Sequence, residues 1–118
     1  MTSDQSSLSS PFIEKADLIK LLTKHESATF FMRVAGDSMT EIGIAEGDII
    51  CIDKAIRPKT GHVVVAIVNG GFVVKNLVVR GGKIKLTSSN PTYPDIVESE
   101  TQAIEIWGVV TSRIKQFD

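Results

Sequence analysis

The sequence is short of several things, and each shortage excludes a class of protein. It holds a single cysteine, Cys51, so no disulfide can form within the chain. Cys51 stands among Ile49, Ile50 and Ile52, the setting of a small buried hydrophobe rather than a reactive thiol. No apolar run approaches the length that crosses a bilayer, and the N-terminus lacks the basic-then-apolar layout of a secretion signal. A soluble, cytoplasmic chain without membrane contact is expected. The net charge is −1, which argues against a broad electrostatic grip on nucleic acid. Basic residues gather at Lys54, Arg57, Lys59, Arg80, Lys83 and Lys85, where solvated loops and strand ends account for them. No Cys, His or carboxylate cluster has metal-ligand spacing, and no glycine loop leads into a helix to cradle phosphate. Neither a metal nor a cofactor is expected.

What is present is a chain of 118 residues, 42% of them hydrophobic, enough for one domain with its own core. Ser3, Ser6, Ser7, Ser9 and Ser10 leave little to bury near the start, so residues 1–11 read as a flexible arm before a domain over 12–118. Asp17 is a candidate cap for a short helix running to about His25, with Leu18, Leu21 and Leu22 on one face. Beyond it the pattern is of short strands: Thr29 to Val34, Ile49 to Asp53, His62 to Val68, Phe72 to Val79, Ile84 to Thr87, and a last strand or pair of strands over Ile104 to Ile114. Asn69-Gly70-Gly71 and Arg80-Gly81-Gly82-Lys83 are turn signals between them. The expected fold is mostly β, with one short helix at the front.

One pair of residues carries chemistry. Alternation along Phe72 to Val79 puts Val73, Lys75, Leu77 and Val79 on one face, so Lys75 shares its side with three aliphatics. Burial disfavours an ammonium, and a lysine that loses its proton is a base. Ser38 lies 37 residues earlier, in the turn Gly36-Asp37-Ser38-Met39. A serine beside a neutral lysine is a known nucleophile-and-base arrangement. The backbone N–H groups of Asp37 and Ser38 are candidate donors to an oxyanion. A plainer reading stands beside this one. The lysine can snorkel to water or pair with a carboxylate, and the serine can be an ordinary turn hydroxyl. A Ser-His-Asp triad through His25 or His62 is less well supported, because Ser38 is not in a Gly-x-Ser-x-Gly elbow. Asp37 and Asp48 fit turn and strand-start roles better than an acid–base pair.

Four segments decide between these readings. They are Ser27-Ala28-Thr29-Phe30-Phe31 leading into Gly36-Asp37-Ser38-Met39, Glu46-Gly47-Asp48 before an apolar strand, Phe72-Val73-Val74-Lys75-Asn76-Leu77, and Glu105-Ile106-Trp107-Gly108-Val109-Val110. In residues and spacing they resemble the LexA/UmuD family of self-cleaving serine peptidases, and within it the UmuD branch, over roughly residues 11 to 116. The resemblance implies the family's β-rich peptidase domain of short, strongly bent antiparallel sheets. It implies Ser38 as nucleophile, Lys75 as general base and Met39 as part of the substrate cleft. It also implies a homodimer and cleavage stimulated by a RecA–single-stranded DNA filament in the SOS response. A UmuC-like Y-family polymerase would be the partner, in an error-prone translesion enzyme of the DNA polymerase V type.

One departure matters. The family cuts at an Ala-Gly or Cys-Gly bond well upstream of its serine, and the only such dipeptide here, Ala35-Gly36, is two residues from Ser38. A processed form, or a natural protein born without the upstream arm, is therefore the expectation, with the dyad intact but no bond of its own to cut. A peptidase acting on another chain, and the C-terminal domain of a LexA-like or phage-type repressor, are the alternatives. Ile104, Ile106, Val109 and Val110 are candidates for a dimer surface, with core burial as the competing reading.

Overall fold

The computed structural model describes residues 10–117. Most of the arm expected over residues 1–11 lies outside them. A helix, α1 (Lys15–Leu22), precedes seven strands: β1 (Thr29–Arg33), β2 (Ile49–Asp53), β3 (Val63–Val68), β4 (Gly71–Arg80), β5 (Lys83–Thr87), β6 (Ile96–Val97) and β7 (Ile104–Ile114). All seven join one sheet in the order β1-β2-β7-β3-β4-β5-β6, and each neighbouring pair is antiparallel. The mostly-β expectation holds, with the strands in a single continuous sheet.

The turns follow from glycine. Asn69 and Gly70 both take positive φ, 51° and 80°, and close a two-residue hairpin in which Val68 pairs with Gly71. That is the geometry whose twist matches the flanking strands, and Asn-Gly is the dipeptide that tolerates it. Gly81 and Gly82 repeat the device between Arg80 and Lys83.

The last strand bends the sheet. Val65 pairs with Gly108 and Ala66 with Ile106, so Trp107 is an extra residue in β7. Cys51 pairs with Ser112 and Ile52 with Val110, so Thr111 is a second. Each bulge adds local twist and re-aims the strand. Trp107 is thereby turned to an aromatic group with Phe30 and Phe72, at centroid distances of 5.2 Å and 5.8 Å. Lys54 Nζ lies 4.2 Å from the tryptophan ring. Gly108 sits so close to β2 that a Cβ there would lie 2.5 Å from Ile52 Cγ2.

Both faces of the central strands are covered, which explains the unbroken apolar run in β3. Val65 joins Val34, Met39, Ile44, Ile50 and Ile52 in one core cluster. Val64 and Ala66 join Leu77, Leu86, Ile104 and Val109 in another. Ile106 and Val110 pack against these clusters, so the four residues considered for a dimer surface serve the core. Cys51 is fully buried, as its neighbours suggested.

The helix differs from expectation. It starts after Glu14, with Asp17 inside its first turn rather than at the cap, and it ends at Leu22, three residues before His25. An acidic residue in the first turn still suits the positive end of the helix dipole. None of the helix residues is buried. The segment is tied to the sheet by the Cys51 thiol, 3.0 Å from the Leu22 carbonyl, and by His25 Nδ1, 2.6 Å from the Asp53 carboxylate.

Candidate active site

Ser38 is delivered by the loop between β1 and β2, and that loop is braced from within. The Val34 amide donates to the Asp48 carbonyl and the Gly47 amide to the Val34 carbonyl, each at 2.8 Å. The buried Asp48 carboxylate accepts from the Ala45 amide at 2.8 Å and from Lys115 Nζ at 2.9 Å. The amide bond, then Lys115, holds its pKa below the ordinary 3.8 against the opposing effect of burial. Gly43, at φ 88°, ends a short 3₁₀ turn over Thr40–Ile42, and Met39 points inward at 2% exposure. The inward Met39 anchors one side of the turn, and Ser38 is left half-buried at the rim.

Lys75 comes from the middle of β4, between Val74 and Asn76, and is 7% exposed. Burial lowers its pKa from the ordinary 10.5, the direction that favours the free amine. Ser38 and Lys75 line the same cavity, of about 440 Å³, together with Met32 to Asp37, Met39, Phe72 to Val74, and Tyr93. The strand-to-turn segment before Ser38 and the start of β4 line it.

The two side chains do not hydrogen-bond each other in this conformation. Ser38 Oγ lies 3.4 Å from the Val74 carbonyl, too long for more than a weak bond, so the hydroxyl is free to rotate. Lys75 Nζ donates to Ser88 Oγ at 2.8 Å. Among the described residues, the amides of Asp37 and Ser38 find no acceptor.

A third element, the loop after β5, was not singled out from the sequence. The Asn90 amide donates to the Ser38 carbonyl at 2.9 Å, and Tyr93 donates its hydroxyl to the Asp37 carboxylate. Lys75 Nζ also lies 4.9 Å from the centroid of the Tyr93 ring. The segment from Ser88 to Tyr93 thus holds the serine turn and the lysine together. The sequence offered a faint signal, since Tyr93 is the only tyrosine in the chain and stands in a Pro/Asn loop.

The histidines are placed elsewhere. His25 is engaged with Asp53, and His62 Nδ1 accepts the Lys59 amide at 3.1 Å; neither lines the cavity. Asp48 is committed to bracing the loop. No group of three or more metal-ligating side chains occurs among the described residues. No helix among them is long and apolar enough to cross a membrane.

An antiparallel sheet that brings a half-buried serine hydroxyl, a buried lysine and two amides without a protein acceptor to one cleft is suited to acyl transfer by a serine hydrolase. The chain belongs to the Peptidase S24-like family, whose model matches residues 3–111, and so to the LexA/UmuD group of self-cleaving serine peptidases. It is 42% identical over 101 residues to protein SamA of Salmonella typhimurium, covering 86% of this chain and 69% of SamA. It is 34% identical over 99 residues to protein MucA of Escherichia coli, covering 83% of this chain and 67% of MucA. It is 39% identical over 95 residues to the LexA repressor of Shewanella woodyi, covering 80% of this chain and 46% of that repressor.

Proposed function

We propose that Ser38 is the nucleophile and Lys75 the general base of a serine peptidase site. The observation that carries this reading is the buried Lys75, its pKa lowered, on the same cleft as Ser38. Neutral Lys75 takes the proton of Ser38 as Oγ attacks a peptide carbonyl. The tetrahedral oxygen is received by the open amides of Asp37 and Ser38. Collapse then expels the amine, which takes the proton back from Lys75, and water releases the acyl group by the same path. Met39 shapes the floor of the cleft.

We further propose that the chain acts in the SOS response as a UmuD-type accessory subunit. It forms a homodimer that joins a UmuC-like Y-family polymerase at a RecA–single-stranded DNA filament. The support is the match of the four segments over roughly residues 11 to 116, and the identity to SamA and MucA over most of this chain. The test mixes the purified chain with its matching Y-family polymerase, RecA filament and a lesion-bearing template. A co-purifying complex with increased bypass is expected; no complex and no gain in bypass overturns the reading. A second reading, the peptidase domain of a repressor, is favoured by the 39% identity to the LexA repressor. It predicts that RecA filament binding occurs without any association with the polymerase.

A further inference from the structure

Lys75 needs more than a low pKa to act as a base. A neutral amine has two N–H groups and one lone pair on a freely turning stem. Unless the two hydrogens are held, the lone pair points at the serine only part of the time. Two groups lie where they can hold them. Nζ donates to Ser88 Oγ at 2.8 Å, a short bond for this donor and acceptor. On another side Nζ faces the Tyr93 ring at 4.9 Å. The aliphatic stem occupies a third direction, from within β4. With one hydrogen on Ser88 and one towards the ring, the lone pair is left for the open side of the cleft, which Ser38 lines.

We propose that Ser88 is a positioning residue for Lys75: its hydroxyl accepts an N–H and aims the nitrogen lone pair at the Ser38 hydroxyl. Ser88 is well built for this. It follows directly after β5, whose last residue, Thr87, pairs with Asn76, so the sheet carries Ser88 to the neighbourhood of Lys75. Two residues on, the Asn90 amide donates to the Ser38 carbonyl at 2.9 Å, with the Ser89 hydroxyl a weaker 3.4 Å contact to the same oxygen, which fixes Ser88 relative to both members of the pair. The inference rests on the Ser38/Lys75 reading above, and its test separates the two.

The test measures the rate of phosphonylation of Ser38 by a fluorophosphonate probe as a function of pH. It uses the full chain and its S88A, S88T, K75A and S38A variants. Removal of the Ser88 hydroxyl is expected to lower the plateau rate about tenfold, the cost of a base that is present but misaimed. The midpoint of the pH profile should also move down, because the lost acceptor favoured the ammonium. S88T, which keeps the hydroxyl, should restore both. A role limited to holding the loop shut predicts the opposite shift, since water admitted to the site would return Lys75 towards 10.5. A ¹⁵N titration of Lys75 Nζ reads the same shift without any probe. If wild type labels and S88A matches it in rate and midpoint, or its midpoint rises, Ser88 is not the positioning residue. If wild type does not label, or K75A labels as fast as wild type, the dyad falls and the assignment of Ser88 with it.

Discussion

Tyr93 donates its hydroxyl to the carboxylate of Asp37, 56 residues away in sequence and immediately before Ser38. The bond ties the loop after β5 to the serine turn, and the same phenol ring faces the amine of Lys75. The bond that Tyr93 donates, then the negative charge of Asp37, hold the Tyr93 pKa above the ordinary 10.0. Because Tyr93 is the only tyrosine, its ionisation can be followed alone by ultraviolet absorbance. The midpoint should lie above 10.0 in the wild type and fall towards it in Asp37→Asn. An unchanged midpoint would mean that the contact is not kept in solution.

Lys75 carries a cost that its removal should reveal. Its folded pKa lies below 10.5, so between the two values the unfolded chain binds more protons and stability rises with pH. Below the folded pKa the penalty of the buried ammonium is felt in full. Lys75→Met keeps the stem and removes the charge, so at neutral pH the melting temperature should rise by a few degrees while Ser38 chemistry is lost. The gain should shrink as the pH approaches 10. A melting temperature that falls at neutral pH would contradict the burial argument.

Acid should loosen the serine loop through Asp48. Its pKa is lowered in the fold, so its contribution is fully present above the ordinary 3.8 and is lost as pH falls through the lower folded value. Asp53 acts in the same direction. Burial raises its pKa, but the His25 bond and the Ala55 amide outweigh that and leave it lowered. Asp48→Asn should lower the melting temperature at pH 7 and flatten its decline below pH ~4, where the wild-type carboxylate also becomes neutral. Thermal melts between neutral and acid pH check this; parallel curves for the two proteins would refute it.

The bulge at Trp107 leaves no room at its neighbour. A methyl at Gly108 would meet Ile52 Cγ2 at 2.5 Å, inside the core of the sheet. Gly108→Ala should destabilise by about 1–3 kcal/mol, the usual cost of overpacking. Ile52→Leu, which removes the β-branch, should recover part of that loss in the double variant, and denaturant titration of the four proteins reads the coupling.

The sequence made the sheet legible wherever a local pattern carried the information. Ile49 to Asp53 and Ile104 to Ile114 were expected with the bounds observed, because β-branched runs ended at charged or turn residues. The Asn-Gly and Gly-Gly hairpins follow from positive φ alone. β6 escaped because two residues make no periodicity. Asp17 misled because an acidic residue suits both the cap and the first turn. At the candidate site, Lys75 stood out as a charge among aliphatics with Ser38 in a turn 37 residues earlier, and the segment resemblance favoured the nucleophile over the plain turn hydroxyl. Ser88, Asn90 and Tyr93 did not stand out. What they do depends on contacts 13 to 56 residues away, and nothing in a Ser/Pro/Asn loop encodes the partner.

The most direct test of the account is the identity of the labelled residue when the wild type and Lys75→Ala meet a fluorophosphonate at mildly alkaline pH, read by mass spectrometry of the digested protein. The account predicts a single adduct on Ser38 in the wild type, formed about 10²–10⁴ times more slowly without the lysine. An adduct on any other residue, or labelling of Ser38 at equal rates in both proteins, would contradict it.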